Sequence, residues 1–253
     1  MIDQFDAYAE YYNLFYEGKD YKGESEYVHQ LIETHHKGAL KVLELGCGSG
    51  GHARELLKYG YSIHGVDISS RMLEQAKLSI RNDGAKVSFS LGDARTLALN
   101  KKFDVVLSLF HVLGYQNSDE DVLKTFLTAY EHLKPGGLFI YDFWYGPTVL
   151  SDGPSTRVLK IKKDHQEILR ISEPNMDLEN HLCKINYSIF VKEATGLYKR
   201  IDELHSMRYF FQDEFMHFES NKFICLDELA WMSQLPLAQG NWYGVRICKK
   251  PSI

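Results

Sequence analysis

A glycine turn after the apolar strand Val42 to Leu45 is the segment of this chain best suited to chemistry. Gly46, Gly48 and Gly51 fit the spacing G-x-G-x-x-G, and Asp67 follows about twenty residues later. Such a turn lets the backbone approach a nucleoside, and a carboxylate at that distance can bind ribose hydroxyls. Because dinucleotide-binding proteins share this pattern, the spacing alone leaves the cofactor open.

Glu44 distinguishes between two nucleoside cofactors. Its carboxylate stands two residues before the first glycine, where the pyrophosphate of a dinucleotide would lie, and like charges repel. S-adenosylmethionine carries an ammonium group and a cationic sulfonium but no phosphate, so a carboxylate attracts it. Glu44 therefore favours this methyl donor over a nicotinamide dinucleotide.

The segment Glu44 to Gly50 resembles the first motif of class I S-adenosylmethionine-dependent methyltransferases, E-x-G-x-G-x-G. The resemblance implies that the glycine loop lies against the methionine part of the donor and that Asp67 holds the ribose. A later acid of that family faces the adenine, and Asp93 takes its place here. The donor-binding residues expected in these loops are Glu44, Gly46, Cys47, Gly48, Gly50, Asp67, Ile68, Gly92, Asp93, Ala94 and Leu109, with S-adenosylhomocysteine as the product.

The elements that must position these residues alternate between helix and strand. Periodicity predicts helices at Glu24 to His36, His52 to Tyr59, Ser70 to Arg81 and Glu120 to Leu133, and strands at Leu40 to Leu45, Ser62 to Asp67, Val87 to Leu91, Phe103 to Leu109 and Leu138 to Phe143. Alternation of this kind predicts an α/β fold with a doubly wound parallel sheet. With the resemblance, it implies the seven-stranded, mostly parallel, Rossmann-like sheet of methyltransferases. Ligands of such sheets bind at the carboxyl ends of the strands, where the acids fall.

The pattern changes after Tyr145 to short β-rich segments separated by polar turns. This predicts an antiparallel insertion that either covers the substrate or joins two chains in a homodimer, and the sequence leaves both open. A helix at Leu226 to Gln234 and a strand at Tyr243 to Lys249 are then expected to complete the core. The predicted organisation is an aromatic helical segment closing the cofactor site (1–37), the donor-binding core (38–150 and 222–253) and the insertion (151–221).

The amino-terminal segment is unusually aromatic, and its rings are expected to form either core or a lid over the donor. Tyrosine faces attract a sulfonium by about 0.5 to 2 kcal/mol. The aromatic positions are Tyr8, Tyr11, Tyr12, Phe15, Tyr16 and Tyr21.

This segment is also similar to that of the sugar N,N-dimethyltransferases that complete desosamine and mycaminose. The similar stretches are Tyr12 to Tyr16, Lys19 to Tyr21, Phe103 to Phe110 with Gly114-Tyr115, Trp144-Tyr145 and His205 to Phe210. The resemblance implies that Tyr12 and Tyr21 contact the donor and that Tyr115 faces the sugar amine. In one departure, the family's Gly-Arg-Gly reads Gly240-Asn241-Trp242 here, and neither side chain replaces a guanidinium fork on a diphosphate.

Tyr115, His111 and His205 are the candidate catalytic residues. Methyl transfer is an in-line displacement in which alignment supplies much of the rate, so a neutral amine needs no dedicated base. A hydroxyl acceptor favours a histidine or carboxylate within reach. For His111 and His205 the roles of base, substrate orientation and structure all stay open, and Asp142 either holds the substrate or caps a turn.

Composition narrows the classes of partner. The 253 residues carry a net charge of -5 without a basic cluster, which argues against nucleic acid and for a small-molecule acceptor. We expect no membrane segment and a cytoplasmic protein, because neither a basic start nor a long apolar run is present. The four cysteines form no C-x-x-C pair, so we expect no metal and no disulfide, with Cys47 as a small turn residue.

The function predicted from these observations is methylation of a small molecule, in first place the amine of an amino sugar or its nucleotide-linked form. The alternatives are O-methylation of a sugar, a glycan precursor or a phosphorylated metabolite, and a non-catalytic donor-binding partner subunit. A nicotinamide oxidoreductase is disfavoured by Glu44 and Asp93.

Overall fold

The computed structural model describes residues 6–80, 86–163 and 166–252. The predicted helix end Arg81, the segment before Asp6 and the side chain of Tyr8 lie outside the described residues. The helices are α1 (Asp6–Phe15), α2 (Tyr21–His35), α3 (Gly51–Leu56), α4 (Ser70–Ser79), α5 (Asp119–His132), α6 (Gly146–Asp152) and α7 (Gln212–Glu219). The strands are β1 (Lys41–Leu45), β2 (Ser62–Asp67), β3 (Val87–Leu91), β4 (Phe103–Ser108), β5 (Leu133–Tyr145), β6 (Arg157–Lys163), β7 (Gln166–Asp177), β8 (Leu182–Lys192), β9 (Tyr198–Phe210), β10 (Ile224–Ala230) and β11 (Tyr243–Lys249).

The core sheet has the predicted doubly wound form. Strands β3, β2, β1, β4 and β5 pair in parallel in that order, β11 adds antiparallel to β5, and β10 pairs antiparallel with β11. Val42, Leu43 and Val106 are fully buried, as expected for central parallel strands with helices on both faces. The seven-stranded, mostly parallel α/β fold predicted from the sequence is confirmed.

The last part of the core differs from the prediction. The helix expected at Leu226 to Gln234 is wrong, because residues Ile224–Ala230 form β10 along β11. Leu226, Leu229 and Ala230 have helical spacing, but pairing from Ile224 opposite Lys249 to Ala230 opposite Gly244 overrides this local pattern. The helix of this region is α7, which follows β9 and lies within the bounds predicted for the insertion.

The insertion is an antiparallel sheet of β6, β7, β8 and β9 that continues from the core sheet. Its last strand runs parallel to the end of β5, with Trp144 opposite Tyr209 and Tyr145 opposite Phe210. Helix α1 contacts both the insertion and the core. Tyr11 and Phe15 pack against the insertion, while Asn13 hydrogen-bonds Gln75 of α4 at 2.9 Å. The insertion and α1 are therefore anchored against the carboxyl edge of the core sheet.

Among the described residues, no helix combines the length and the apolar character that crossing a bilayer would require.

Candidate active site

One cavity of about 600 Å³ lies between the carboxyl edge of the core sheet, the insertion and α1. The predicted site residues in its wall are Tyr12, Tyr21, Gly46, Cys47, Gly48, Asp67, Ile68, Gly92, Asp93, Ala94, Leu109, His111, Tyr115 and His205. Glu44 and Gly50 are not in the wall but directly behind it. The structure thus brings residues from every part of the chain to one place, and the insertion supplies one face of it.

The glycine turn after β1 needs its glycines for backbone geometry. Gly46 has φ +69°, a left-handed conformation that side chains disfavour, and a Cβ there would lie 2.5 Å from Val112. A Cβ on Gly51 would lie 2.4 Å from the ring of Tyr21. Because Gly46 and Gly51 have no side chains, the 3-10 turn Val112–Tyr115 and the ring of Tyr21 can both approach the loop.

Asp67 ends β2 and is held by the backbone on both sides. Its Oδ2 accepts the N–H of Gly48 at 2.7 Å, and its Oδ1 accepts the N–H of Ser69 at 2.9 Å. Burial raises the pKa of Asp67 above its usual value despite these hydrogen bonds. The carboxylate is thereby tied to the glycine turn while it also lines the cavity, as a group that binds ribose must.

Asp93, after β3, is held by an arginine that sequence reasoning missed. Arg95 donates from Nε to Asp93 Oδ1 at 2.9 Å and also reaches Asp121 with Nη1 at 3.3 Å. Hydrogen bonds from Arg95 hold the pKa of Asp93 below its usual range. The spacing Asp93-Ala94-Arg95 was visible in the sequence, but only the fold shows that both side chains border the cavity.

Glu44 is connected to the amino-terminal segment through a histidine. The side chain is almost completely buried, and its Oε1 lies 3.6 Å from Nδ1 of His52, whose Nε2 is 2.8 Å from Glu24 Oε2. Burial of His52 works against its charged form, but the hydrogen bonds and charges of Glu24 and Glu44 raise its pKa to about 9. A cationic His52 lines the cavity beside the glycine turn and offsets part of the negative charge of Glu44, which does not line the cavity.

The amino-terminal aromatic residues serve as both core and cavity wall. Tyr11 and Phe15 are buried against the insertion, whereas Tyr12, Tyr16 and Tyr21 line the cavity. Tyr12 and Tyr21 are hydrogen-bonded to each other, and burial raises the pKa of Tyr21 to about 12. These hydroxyls therefore stay neutral and present oxygen lone pairs and ring faces to the cavity.

His111 is fixed in the wall by Asp142. Its backbone N–H donates to Asp142 Oδ1 at 2.8 Å, and its Nδ1 lies 2.9 Å from Asp142 Oδ2 without hydrogen-bond alignment. The imidazole stacks on Tyr243 with ring centroids 4.5 Å apart, and the backbone has φ +64°. Asp142 is almost completely buried and does not line the cavity, so its carboxylate faces His111 and not the cavity.

Two arginines of the insertion that sequence reasoning did not single out also face this cavity. Arg157 begins β6 and Arg170 lies on β7, where its guanidinium is 4.7 Å from the ring centre of Phe15. Trp144 adds a buried indole Nε1 that has no hydrogen-bond partner among the described residues. No motif marks these residues, because they become neighbours only when the insertion folds over the core.

A cysteine cluster lies apart from the cavity. Cys225 and Cys248 are partners across β10 and β11, and their sulfur atoms lie within 4.8 Å of a carboxylate oxygen of Glu219. Arg246 donates to both oxygens of Glu219, at 2.8 and 2.9 Å. Because this guanidinium already neutralises the carboxylate, the cluster is a poor cation site. The spacing of Cys225 and Cys248 did not predict that the two cysteines would meet.

Comparison with known proteins agrees with this geometry. Residues 42–137 match a family described as methyltransferase domain. The match covers the glycine turn, Asp67 and Asp93, and the fold is that of the class. The chain carries this domain and is an S-adenosylmethionine-dependent methyltransferase.

Two sugar N,N-dimethyltransferases are similar to this chain over most of its length. The chain is similar to the dTDP-3-amino-3,4,6-trideoxy-alpha-D-glucopyranose N,N-dimethyltransferase of Streptomyces venezuelae, with 26% identity over 82% of this chain and 86% of that one. It is also similar to the dTDP-4-amino-2,3,4,6-tetradeoxy-D-glucose N,N-dimethyltransferase of Saccharopolyspora spinosa, with 26% identity over 78% and 76% of the two chains. Among solved structures, the sugar N-methyltransferase from a Streptoalloteichus species shares the fold with a TM-score of 0.82, 19% identity and coverage of 95% of this chain and 92% of that one.

Proposed function

We propose that this methyltransferase transfers methyl groups to the amine of an amino sugar, in its free or nucleotide-linked form. The observation that carries the proposal is the composition of this cavity. The core supplies Asp67 and Asp93 beside the glycine turn and Tyr115 after β4, and the insertion supplies Arg157 and Arg170. The names of the similar proteins, which methylate dTDP-linked amino sugars, support the same class of acceptor.

The residues of the core wall fit the donor. Asp67 offers carboxylate oxygens for ribose hydroxyls, Asp93 borders the cavity with its partner Arg95, and Tyr12 and Tyr21 supply neutral ring faces that suit a sulfonium. The donor, when bound, supplies an electrophilic methyl group on a cationic sulfur. The chain's own task is then to hold the acceptor nitrogen in line with that group and to exclude water.

The insertion arginines suit an acceptor that carries an anionic group. Arg157 and Arg170 stand on neighbouring strands of the same sheet and both line the cavity. Their charges act on Tyr187, where they oppose the rise in pKa that burial causes. A guanidinium binds phosphate with two parallel hydrogen bonds, so these residues offer the function that the missing Gly-Arg-Gly arginine would have supplied.

The experiment that tests this function uses purified protein, methyl-labelled S-adenosylmethionine and separate pools of amino sugars, nucleotide-linked amino sugars, neutral sugars and phosphorylated metabolites. We expect label on a compound with a primary or secondary amine, with up to two methyl groups gained. Transfer only to compounds without an amine would contradict the proposal, and donor binding without transfer to any pool would favour a non-catalytic partner subunit.

One observation favours O-methylation as the second candidate. His111 lies in the cavity wall, and its Nδ1 is 2.9 Å from Oδ2 of the buried Asp142, whose carboxylate would stabilise the imidazolium formed when His111 accepts a proton. A hydroxyl acceptor would need such a base. In that case His111→Gln would abolish turnover of the hydroxyl substrate, whereas methylation of an amine would tolerate the change better.

Assembly of two chains through the insertion stays a prediction.

A further inference from the structure

A chain of three side chains leads from the cavity into the insertion sheet. The hydroxyl of Tyr115 lies 3.0 Å from Nδ1 of His205, and Nε2 of His205 lies 3.0 Å from Oε2 of Glu203. Tyr115 and His205 line the cavity, whereas Glu203 does not. His205 itself is only 2% exposed, so its two ring nitrogens are served by these partners instead of by bulk water.

The chemistry of the three groups fixes the direction of the hydrogen bonds. An ionised carboxylate only accepts, so Nε2 of His205 carries a hydrogen and donates it to Glu203. In the neutral imidazole Nδ1 is then an acceptor, and the Tyr115 hydroxyl donates to it. A tyrosine oxygen both donates and accepts, so the Tyr115 oxygen, which lines the cavity, can accept a proton from a ligand there.

The far end of the chain reaches the surface. Glu203 borders a second, shallow hollow of about 450 Å³, together with Arg200 and Asp202, and Tyr187 lines both this hollow and the cavity. Tyr115 thus lies at the cavity, Glu203 at the hollow, and His205 between them.

We propose that Glu203 is a positioning residue that holds His205 as the acceptor of a proton relay from the substrate amine through Tyr115. The proposal rests on the function proposed above, because an amino-sugar amine is largely protonated near neutral pH and must lose a proton before it can attack a methyl group. It adds a residue that neither the motifs nor the resemblance indicated.

Each methyl transfer is accompanied by the movement of one proton along the relay. A proton moves from the acceptor's ammonium group to the Tyr115 oxygen while the Tyr115 hydroxyl proton moves to Nδ1 of His205. The freed nitrogen lone pair forms the N–C bond as the C–S bond of the donor breaks, and the sulfur leaves as a neutral thioether. Glu203 stabilises the imidazolium, which returns its Nδ1 proton through Tyr115 to water that enters the cavity after the product leaves, so that the Nε2–H tautomer is restored before the next transfer.

Other ionisable groups surround the relay on several elements. Tyr187 of β8 packs edge-on against His205 with ring centroids 4.9 Å apart, and Tyr16, directly after α1, and Asp67, at the end of β2, act electrostatically on Tyr115. Arg170 of β7 lies 5.4 Å from the ring centre of Tyr187. Burial raises the pKa of Tyr115 well above its usual value, so Tyr115 conducts the proton and does not keep the charge.

The test compares Glu203→Gln with wild type in kcat measured across pH, using the best amine acceptor. Without the carboxylate the imidazolium loses its partner, so we expect the acidic limb of the kcat profile to move to lower pH and the plateau to fall at least about tenfold. Asp202→Asn is the matched control. It changes the neighbouring acid, which hydrogen-bonds Ser188 and Arg200, and its profile should overlie that of wild type.

Donor affinity and thermal midpoint, measured on the same proteins, separate a local effect from misfolding. A Glu203→Gln profile that is scaled down without movement of the limb, or that overlies wild type, would overturn the relay while the proposed function stands. If Glu203→Gln unfolds, His205→Gln gives the same test, because loss of the imidazole should remove the limb. Absence of amine methylation by wild type would instead refute the proposed function and, with it, the relay.

Discussion

Tyr115 and His205 are 90 positions apart in the chain, yet the Tyr115 hydroxyl lies 3.0 Å from Nδ1 of His205. The first residue belongs to the loop after β4 of the core and the second to β9 of the insertion. Their contact is made possible by the parallel pairing of β9 with the end of β5. The insertion therefore contributes side chains to the same cavity as the donor-binding loops, which supports its predicted role as a substrate cover.

Removal of the Asp67 carboxylate should weaken donor binding. We expect Asp67→Ala to raise the Kd for S-adenosylmethionine by about 10- to 100-fold, since hydrogen bonds to a charged group contribute about 1.5 to 3 kcal/mol. Titration calorimetry measures this change. The control is Asp104→Ala, whose carboxylate binds the N–H groups of Leu40 and Lys41 at the opposite edge of the sheet. Equal affinities of Asp67→Ala and wild type would refute the assignment.

Arg157 should matter for the acceptor and not for the donor. Arg157→Ala should raise KM for a phosphate-bearing amine by about tenfold or more while donor affinity stays the same, because a charge-assisted hydrogen bond is lost. Arg200→Ala is the control, since this exposed arginine of the same insertion pairs with Asp202 outside the cavity. Steady-state kinetics with the nucleotide-linked and the free amino sugar tests it, and an equal loss with both would show that Arg157 does not bind the anion.

Stability should depend on pH through His52. Its pKa in the folded protein is about 9, above the ordinary value of 6.5, so its contribution is complete below about pH 6.5 and is lost as the pH rises through 9. The contribution is on the order of 3 kcal/mol. Urea unfolding at pH 6.5 and pH 9 should show that wild type loses more free energy of unfolding than His52→Gln. The exposed His217→Gln should behave as wild type, and a pH-independent difference between His52→Gln and wild type would contradict the account.

The buried pair Glu219 and Arg246 should affect the free energy of unfolding without touching the cavity. Arg246→Met leaves the Glu219 carboxylate without its guanidinium and should lower the free energy of unfolding by about 3 to 5 kcal/mol. Glu219→Gln in the same protein should restore part of this loss. Arg54→Met, which breaks a half-exposed pair with Glu55, should cost little. Equal unfolding midpoints for Arg246→Met and Arg54→Met would show that the buried pair is not strongly coupled.

The core and its donor loops were predictable because their signals are local. The glycine turn, Asp67 and Asp93 each follow a strand that is apolar in sequence, and parallel strands bring their carboxyl ends to one edge. Strand β10 was missed because Leu226, Leu229 and Ala230 have helical spacing, and only pairing with β11 decides their conformation. Arg95 was missed because its second partner, Asp121, is 26 positions away in the sequence, so the arrangement with Asp93 becomes visible only in the fold.

The acceptor side of the site was less predictable, for a physical reason. The insertion supplies Arg157 from β6, Arg170 from β7 and Glu203 from β9. Its position depends on its packing against α1 and the end of β5. Strand alternation predicts which residues share a face, but not which face meets the core. Tyr115 was proposed through the resemblance and His205 as a histidine that could act as a base, whereas their connection to Glu203 required the fold.

The most direct test of amine methylation is the position of the new methyl group in the product. A nucleotide-linked amino sugar is incubated with the protein and S-adenosylmethionine carrying a carbon-13 methyl group, and the product is examined by NMR. The account predicts that the labelled carbon is bonded to the sugar nitrogen. A labelled methyl group on a hydroxyl oxygen, with the nitrogen unchanged, would contradict it.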